Sequence, residues 1–294
     1  MEELEESEHS SKLSRWMPFF FLHILALSVL VSGFSAEALS LCAVLYFIRM
    51  FAITGFYHRY FSHRSFKTSR IAQFIFAVVG ATAVQRGPLW WASHHRHHHR
   101  FSDKANDTHS PVADGFIWSH IGWITSEKNI PTDYSRVQDL TKFPELVFIN
   151  RFDWLPGIVL AVFVYWLGEY MGARGFDASG SQFVAWGFLS TVLLFHGTCS
   201  INSLSHMYGS RRFDTGDGSR NNPFLALVTL GEGWHNNHHR FPGSAKQGYT
   251  WWELDITYLL LKIMERLGII WDVTNQADVS AMNREAEVQW PVRG

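Results

Sequence analysis

Long apolar runs alternate with strongly polar stretches along the chain, and four of the apolar runs fall into two pairs. The first pair covers residues 17–33 and 37–57, and the second pair covers residues 154–172 and 182–200. About 20 apolar residues span a hydrocarbon core of roughly 30 Å. Because short links join the members of each pair and Trp residues flank them, the pattern predicts two transmembrane hairpins. Buried core helices of a soluble protein are the alternative interpretation.

Two further apolar stretches are less suited to crossing a bilayer. Residues 71–91 contain a proline, two glutamines and an arginine, so we expect this stretch to run along the interface or to pack beneath the polar part of the protein. Residues 252–270 place apolar side chains at helical spacing with charges between them. That spacing is typical of an amphipathic helix that lies on a surface.

The two hairpins determine which segments share one side of the membrane, because each hairpin returns the chain to the side from which it came. The short loops on the opposite side contain a single basic residue, Arg174. Basic residues collect on the cytoplasmic side of membrane proteins, so we expect both termini and the polar regions to be cytoplasmic. The predicted parts are an acidic solvated tail (1–16), a first hairpin (17–57), a polar region (58–153), a second hairpin (154–203), a polar region ending in the amphipathic helix (204–271) and a C-terminal tail (272–294).

Composition narrows the classes of function. The chain has 25 Lys and Arg against 26 Asp and Glu, so its net charge of −1 excludes a broadly basic nucleic-acid binder, and no nucleic-acid partner is expected. Cys42 and Cys199 both lie in apolar runs and predict no disulfide framework. The 16 histidines, in contrast, are out of proportion for a chain of 294 residues.

Most of these histidines lie in groups beside the ends of the apolar runs. Residues three and four apart share one face of a helix, which lets members of a group point the same way. His58 and His63 are five apart, so we expect a distorted or terminating helical turn there. The groups are His58 and His63, then the run from His94 to His99, then His206 with Asn202, and finally His235, His238 and His239.

Clusters of imidazoles at this spacing indicate a metal site. Eight or nine imidazoles exceed what one tetrahedral zinc ion uses and fit a pair of metal ions, and imidazole suits zinc, copper, iron or nickel. No HExxH motif is present, which disfavours a zinc protease. A metal transporter is a rival class, but transport favours ligands inside the spans, whereas the histidine groups lie beyond the span ends and His196 in the fourth run is too little to form a pathway.

These residues resemble the membrane-bound fatty-acid desaturases, specifically the delta-9-type acyl desaturases related to stearoyl-CoA desaturase, in their prokaryotic branch. The similarity covers about residues 45–260 and rests on five motifs. They are GFYHRYFSHRSFK (55–67), HRHHHRFSDKANDTHSP (95–111), GFIWSHIGW (115–123), NSLSHMYG (202–209) and GEGWHNNHHRFPGSA (231–245). The fold that the resemblance and the hairpins imply is an all-α integral membrane protein with four transmembrane helices, capped by a cytoplasmic helical domain that holds a histidine-rich di-metal site.

The resemblance implies two iron ions held by nine histidines, with zinc able to replace iron in recombinant material. One iron would take His58, His63, His95, His99 and His238; the other would take His98, His206, His235 and His239, with a water held by Asn202. His94, His97, His109 and His120 stand outside this set as second-layer or surface groups. Asp103, Asp107 and Glu232 are candidates for orienting the ligand imidazoles, with solvated loop acids as the alternative.

The implied reaction uses O2 and two electrons to insert a cis double bond, at the delta-9 position, into a long saturated acyl chain. Acyl-CoA is the favoured substrate, with an acyl lipid or an acyl carrier protein left open. A related di-iron hydroxylase acting on lipid or alkane is the nearest alternative. Candidate walls of an acyl tunnel, for which interfacial anchoring or core packing is the other interpretation, are Trp90, Trp91, Trp118, Trp123 and Trp234.

The electrons would come from a separate partner, a b-type cytochrome or a ferredoxin with its reductase. A basic cytoplasmic face formed by Arg96, Arg100, Arg211, Arg212 and Arg240 could receive it, or could simply be solvated. We expect a multi-pass protein of the bacterial inner membrane, in contact with membrane lipid and with its metal site on the cytoplasmic side.

Overall fold

The structure, a computed structural model, describes residues 12–280 and is mostly helical. The α-helices are α1 (Lys12–Ala26), α2 (Val29–Ser32), α3 (Ala36–Phe51), α4 (Arg70–Ala81), α5 (Pro88–Phe101), α6 (Pro111–Asp114), α7 (Phe116–His120), α8 (Gln138–Thr141), α9 (Pro144–Arg151), α10 (Leu155–Gly172), α11 (Gly180–Leu204), α12 (Pro223–Val228), α13 (His235–Arg240) and α14 (Ile256–Arg266). A π-helix (Ala52–Ser62) continues α3, and 3-10 turns cover Gly122–Thr125, Glu127–Asn129 and Tyr134–Val137.

Three helices within residues 12–280 are long and apolar enough to cross a membrane. They are Ala36–Ser62, Leu155–Gly172 and Gly180–Leu204. The first predicted span is a shorter apolar stretch, Trp16–Ser32, which is interrupted between the end of α1 and the start of α2. The structure therefore supports three of the four predicted spans by length. The span predicted at residues 17–33 stays a prediction.

Helix α11 is the centre of the apolar bundle, since α1, α3 and α10 all pack against it. Ser35 caps α3 by accepting a hydrogen bond from the Ala38 amide, and its hydroxyl also donates to Gln182 Oε1 over 3.1 Å. Gln182 lies in the first turn of α11. This contact brings the starts of α3 and α11 together at one end of the bundle.

A buried arginine joins the two long helices inside the bundle. Arg49 is 2% exposed and donates to Ser190 Oγ over 2.8 Å and to Thr191 Oγ1 over 2.7 Å. Its Nε donates to the Leu45 carbonyl within its own helix. Burying a guanidinium among apolar helices is costly unless its donors are satisfied, and here α11 supplies the acceptors.

The helix that begins with α3 does not end at Tyr57 but runs on as a π-helix to Ser62, every residue of which is buried. A π-helix closes its hydrogen bonds five residues apart, so residues i and i+5 lie on the same face. His63 donates its amide hydrogen to the His58 carbonyl over 3.2 Å, which places the two rings side by side. The distorted turn predicted from the spacing of these histidines is confirmed.

The segments outside the apolar bundle, including α4 and α14, pack around this π-helix and form the polar layer of the protein. Helix α4 is only 12 residues long, too short to span, and Phe76 on it stacks on Phe56 at 3.9 Å. Helix α14 buries Thr257 and Leu261 and leaves Leu259 and Ile263 about half exposed, as expected for a surface amphipathic helix.

One departure from the predicted all-α architecture is a short antiparallel pair, β1 (Lys67–Thr68) with β2 (Ile270–Trp271). It ties the chain after α14 back to the segment after the π-helix, where Thr274 also donates to the Ser65 carbonyl. Residues 276–280 form one helical turn. The acidic tail predicted for 1–16 lies outside the described residues up to position 11, and helix α1 already begins at Lys12.

We predict that Ser190→Ala lowers the free energy of unfolding by about 1–3 kcal/mol, because it leaves a buried guanidinium donor of Arg49 without an acceptor. Thermal or denaturant unfolding in detergent measures the effect. Ser181→Ala is the matched control, since Ser181 lies exposed on the same helix, and it should change stability by less than about 0.5 kcal/mol. Equal stability of the two variants would contradict the role given to the Arg49 contacts.

Candidate metal centre

Two groups of histidines converge beneath the apolar bundle. Within each group the nearest ring nitrogens all lie within 4.8 Å of one another. One group is His58, His63, His95, His99 and His238, and the other is His98, His206, His235 and His239. The structure thus brings together all nine histidines singled out from the sequence, in the same division of five and four.

Separate elements deliver these rings to one place. The π-helix supplies His58, and His63 follows it directly. Three of the rings come from α5, one follows α11, and three come from α13. Spacing of three and four residues on α5 and α13 turns the rings of each helix inward together.

The start of α5 is fixed by a side chain from another helix. Asn150 on α9 accepts hydrogen bonds from the amides of Leu89 (3.1 Å) and Trp90 (2.8 Å), in place of a local capping residue. A Cβ at Gly87 would lie 2.5 Å from the Asn150 Cα, so only glycine permits this approach. The cap sets the angle at which α5 carries its histidines into the centre.

Four of the rings are oriented by buried carboxylates. In each case the ring Nδ1 meets a carboxylate oxygen: His58 with Glu232 (2.5 Å), His98 with Asp107 (2.8 Å), His206 with Asp103 (2.8 Å) and His239 with Asp217 (2.6 Å). A carboxylate only accepts, so Nδ1 carries the hydrogen and the Nε2 lone pair is left free for a metal. Ring orientation and tautomer are therefore set before any ion binds.

The Nε2 atoms of the group of five crowd against one another. Their separations are 3.0 Å for His58–His238, 2.9 Å for His99–His238, 3.0 Å for His95–His99 and 2.8 Å for His63–His95. A ring nitrogen is either a donor or an acceptor, so a line of four such contacts cannot consist of ordinary two-centre hydrogen bonds. A cation between the lone pairs satisfies every ring, and the donor set therefore fits a metal ion.

Burial keeps the rings in the form that binds metal. It lowers the pKa of His63, His95, His99, His235 and His238 well below 6.5, and neighbouring imidazoles lower these values further. Burial likewise lowers the pKa of His239 to about 4, although Asp217 opposes the shift. Neutral imidazoles are thus present at neutral pH without any proton having to be displaced.

The carboxylates are ionised despite their burial. Burial alone would raise the pKa of Glu232, but His58 and Arg59 reverse this and lower it. Arg59, which is 1% exposed, donates to Glu232 over 3.0 Å and also contacts Asp255 over 3.0 Å. The positive charge of Arg59 thereby holds Glu232 ionised and correctly placed behind His58.

Sequence reasoning found three of the four orienting carboxylates, since Asp103, Asp107 and Glu232 each lie at the Nδ1 of a clustered histidine. It missed Asp217, which lies between α11 and α12 in a polar stretch where no spacing marks it. Its partner Ser219, however, donates to the same carboxylate and is fully buried. Burial, which a single sequence does not display, is the signal that distinguishes Asp217 from its exposed neighbour Asp214.

The histidines outside the nine have varied surroundings. His109 is buried and stacks on His98 at 4.2 Å, and with Asp107 these residues form a third cluster of potential ligand atoms. His94 is buried too, whereas His97 is partly exposed and contacts the Asn106 carbonyl. His97 therefore fits the expected surface group, and His109, which stacks on a ligand ring, fits the expected second layer.

Three more histidines form a hydrogen-bonded chain away from the two groups. His23 Nε2 lies 2.9 Å from His196 Nε2, and His196 Nδ1 lies 3.0 Å from His120 Nε2. The chain ends at the Phe19 carbonyl on one side and at Ser203 Oγ on the other. Because a carbonyl only accepts, His23 carries its hydrogen on Nδ1. The histidine chain joins α1, α11 and α7.

A cavity of about 490 Å³ adjoins the first histidine group. His95 and Asn202 line it, and so do three of the predicted tunnel residues, Trp90, Trp91 and Trp123. Trp118 and Trp234 lie elsewhere. Their indole nitrogens donate to the carbonyls of Thr108 and Leu254, respectively, and the two rings pack in other parts of the polar layer.

The arginines of the predicted basic face differ in how free they are. Arg96 pairs with Asp139 over 2.7 Å, Arg212 with Glu253 over 2.8 Å, and Arg211 lies 3.6 Å from Asp214. Arg100 and Arg240 are exposed, and each lies over the ring of the phenylalanine that follows it. Within residues 12–280, these two cations have no carboxylate partner among the ion pairs.

Comparison with known proteins places this geometry in context. Residues 34–272 match the family described as "Fatty acid desaturase". The chain is 40% identical over 263 residues to "Acyl-CoA 5-desaturase AL21" of Anemone leveillei, a match covering 88% of this chain and 78% of that protein. It is 37% identical over 265 residues to "sn-2 palmitoyl-lipid 9-desaturase" of Nostoc sp. (strain 36), covering 87% and 88%. It is 35% identical over 257 residues to "Delta-9 acyl-lipid desaturase 1" of Arabidopsis thaliana, covering 86% and 80%.

We predict that Asp217→Asn weakens metal binding about 10- to 100-fold, because the amide no longer fixes the tautomer of His239. Metal content after dialysis against a graded chelator measures the effect. Asp214→Asn is the matched control, because Asp214 lies on the same loop with its side chain 97% exposed. The two variants retaining metal equally would contradict the orienting role of Asp217.

We predict that the chelator-treated protein loses stability as the pH falls below about 6.5. The pKa of His239 is lowered to about 4 in the folded protein, so between these two values the unfolded chain binds more protons than the folded chain. Protonation should remove about 2 kcal/mol at pH 5 for His239 alone. Unfolding at pH 7.5 and pH 5 tests this, and His239→Gln should reduce the difference. Equal stability at both pH values would show that the rings are not buried as described.

Proposed function

The chain belongs to the fatty acid desaturase family, whose members are oxidoreductases that introduce double bonds into fatty acyl chains, and from this premise we propose that it is a membrane di-iron desaturase of long saturated acyl chains. The observation that carries the proposal is the junction of the two histidine groups with an apolar cavity. His95 belongs to the first group and at the same time lines the cavity. A hydrocarbon chain in the cavity would therefore lie beside the metals.

Two iron ions fit the donor set. The nine histidines and the water expected on Asn202 would hold them, with neutral nitrogen donors and no thiolate within reach in either group. When bound, the irons supply the O2 activation needed to remove hydrogen from an unactivated methylene. Zinc fits the same imidazoles and could occupy them in recombinant protein, but it undergoes no redox change.

The overall reaction balances with O2 as cosubstrate. Two adjacent methylene groups lose one hydrogen each, and these combine with O2, two electrons and two protons to give one double bond and two water molecules. The protein positions the chain and excludes water. Trp91 stacks on His95 at 4.9 Å and presents an apolar wall next to the ligand, which keeps the reacting methylenes in a dry environment.

We infer a cis double bond at the delta-9 position, as the motifs indicate. Similar proteins carry delta-5, delta-7 and delta-9 names, and the position of the double bond in the product tests the assignment. The acyl carrier expected from the motifs is coenzyme A, with glycerolipid and acyl carrier protein as alternatives.

The two electrons come, in this proposal, from a separate b-type cytochrome or from a ferredoxin with its reductase. Arg100 and Arg240 support a docking site because both are exposed and free of carboxylates within the described chain. Each directly follows a clustered histidine, His99 or His239. A donor with acidic groups around its cofactor would thus dock close to both metals.

We place the enzyme in a membrane with the metal centre on the cytoplasmic side, in the bacterial inner membrane. Three apolar helices of spanning length support membrane insertion. The shortage of basic residues in the loops at the other end of the bundle supports the orientation. Metal transport is disfavoured because His196, which lies inside a span, uses both ring nitrogens in the hydrogen-bonded chain.

We predict that His98→Ala and His235→Ala abolish unsaturated product in an expressing host, because each removes a ligand of the second group. Lipid profiling by mass spectrometry measures the product. Desaturation lowers the acyl mass by two hydrogens, whereas a hydroxylase would add one oxygen. His97→Ala is the matched control from the same motif, since His97 is partly exposed and outside both groups. Membrane insertion should be unchanged in all three, and normal product from either ligand variant would contradict the assignment.

A further inference from the structure

We propose that the substrate is an acyl chain still esterified in a membrane glycerolipid, which enters the cavity sideways from the bilayer between α1 and the start of α10. This inference rests on the proposed desaturase function and names its substrate class. It replaces the expectation of acyl-CoA.

The position of the cavity is the first observation. It is lined by Phe19 and Leu22 on α1, by Val192 and Phe195 on α11, and by Trp154 immediately before α10. Helices α1 and α10 both pack on α11, so the cavity occupies the space beside α11 that these two flank. One end of the cavity therefore lies among the helices of the apolar bundle, while the end at His95 reaches the metals.

The surfaces on both sides of this end are suited to lipid contact. On α1, Phe20, Phe21 and Ile24 are 50–65% exposed. At the start of α10, Trp154 is 54% exposed and Ile158 is 52% exposed. In a membrane these faces meet acyl chains, and a Trp at the end of a span is typical of the interface. A lipid chain would move from one apolar environment into another without crossing water.

A smaller cavity of about 40 Å³ lies next to the larger one, along α10. Leu22, Val84 and Thr191 line both cavities, and Gly157 and Leu160 continue the wall along α10. Gly157 contributes because it has no side chain. A Cβ there would lie 3.1 Å from Val84 and narrow the space. The cavity wall thus continues along a face of a spanning helix, where the buried Arg49 also lines it.

The histidine chain holds α1 at this place. His23 lies one residue after Leu22 and reaches across to His196 over 2.9 Å. The other ring nitrogen of His23, Nδ1, donates to the Phe19 carbonyl over 2.7 Å. Both polar atoms of the His23 ring therefore have partners within the protein. The apolar side chains Phe19 and Leu22 are left to face the cavity, and α1 forms a fixed side of the opening.

Charge at the opening is the second independent observation. Among the described residues that line the larger cavity, Arg86 is the sole Lys or Arg. Its Nε lies 3.7 Å from Asp153 Oδ2, its Nη2 donates to the Ile130 carbonyl over 2.8 Å, and its guanidinium lies over Trp90 at 5.5 Å. The positive charge is thereby matched by a carboxylate and held in place.

This charge balance disfavours the two soluble carriers. Coenzyme A brings several phosphate charges and acyl carrier protein an acidic surface, and unpaired Lys or Arg at the entrance would favour the binding of either. The exposed rim is instead apolar, with Val84 38%, Ile130 37% and Trp154 54% exposed, around a single neutralised Arg86. Such a rim fits the ester region of a glycerolipid at the membrane interface.

The test uses the purified, iron-loaded full chain in lipid nanodiscs with a ferredoxin, its reductase and O2. Three arms carry the same deuterated stearoyl chain: in phosphatidylglycerol of the nanodisc, as stearoyl-CoA, and on acyl carrier protein. We expect loss of two deuterium atoms at least tenfold faster in the lipid arm. Faster desaturation of the CoA or carrier-protein arm would overturn the inference and leave the desaturase function intact. No product in any arm would instead contradict the proposed function.

A binding measurement further distinguishes a wrong substrate class from a wrong function. Metal-free protein is irradiated with phosphatidylglycerol or acyl-CoA carrying the same photoreactive acyl chain. Lipid labelling of peptides that contain residues 19–22 or 191–195 is expected, and labelling there by acyl-CoA alone would overturn the inference. Leu22→Trp should reduce lipid labelling and the lipid-arm rate at least fivefold by filling the opening. Ile24→Trp is its control on the same helix, because Ile24 is 65% exposed and outside the cavity lining.

Discussion

The pairing of a buried carboxylate with the Nδ1 of a histidine is the interaction on which the site depends. It occurs four times, at Glu232, Asp107, Asp103 and Asp217, and each time it leaves a lone pair directed inward. Without these partners the rings could rotate or exchange tautomers, and the two groups would offer donors and acceptors at random. Burial makes the same pairs strong, because it removes competing water.

The surrounding helices hold these histidine–carboxylate pairs together at one end of the apolar bundle. The π-helix allows His58 and His63 to share a face although they are five residues apart. Asn150 and Gly87 fix where α5 begins, and Arg59 holds Glu232 behind His58. The histidine groups and the cavity then meet at His95, which belongs to the first group and also lines the cavity.

The sequence predicts much of this arrangement, because the spacing of apolar residues and histidines depends directly on helix geometry. Period and length predicted the long helices, and the five-residue spacing of His58 and His63 predicted a distortion that the structure shows as a π-helix. The interruption of the first apolar run was not predicted, since hydropathy averages over it. Asp217 and the distant locations of Trp118 and Trp234 were also beyond reach, because each depends on tertiary contacts between segments far apart in the chain.

The central claim is that two iron ions lie in cages of imidazole nitrogen beside the cavity. Iron analysis combined with X-ray absorption spectroscopy of protein produced in iron-rich medium tests it most directly. The account predicts two irons per chain, with nitrogen and oxygen neighbours, a strong imidazole signature and an iron–iron scattering contribution. One iron per chain, or sulfur among the neighbours, would contradict it.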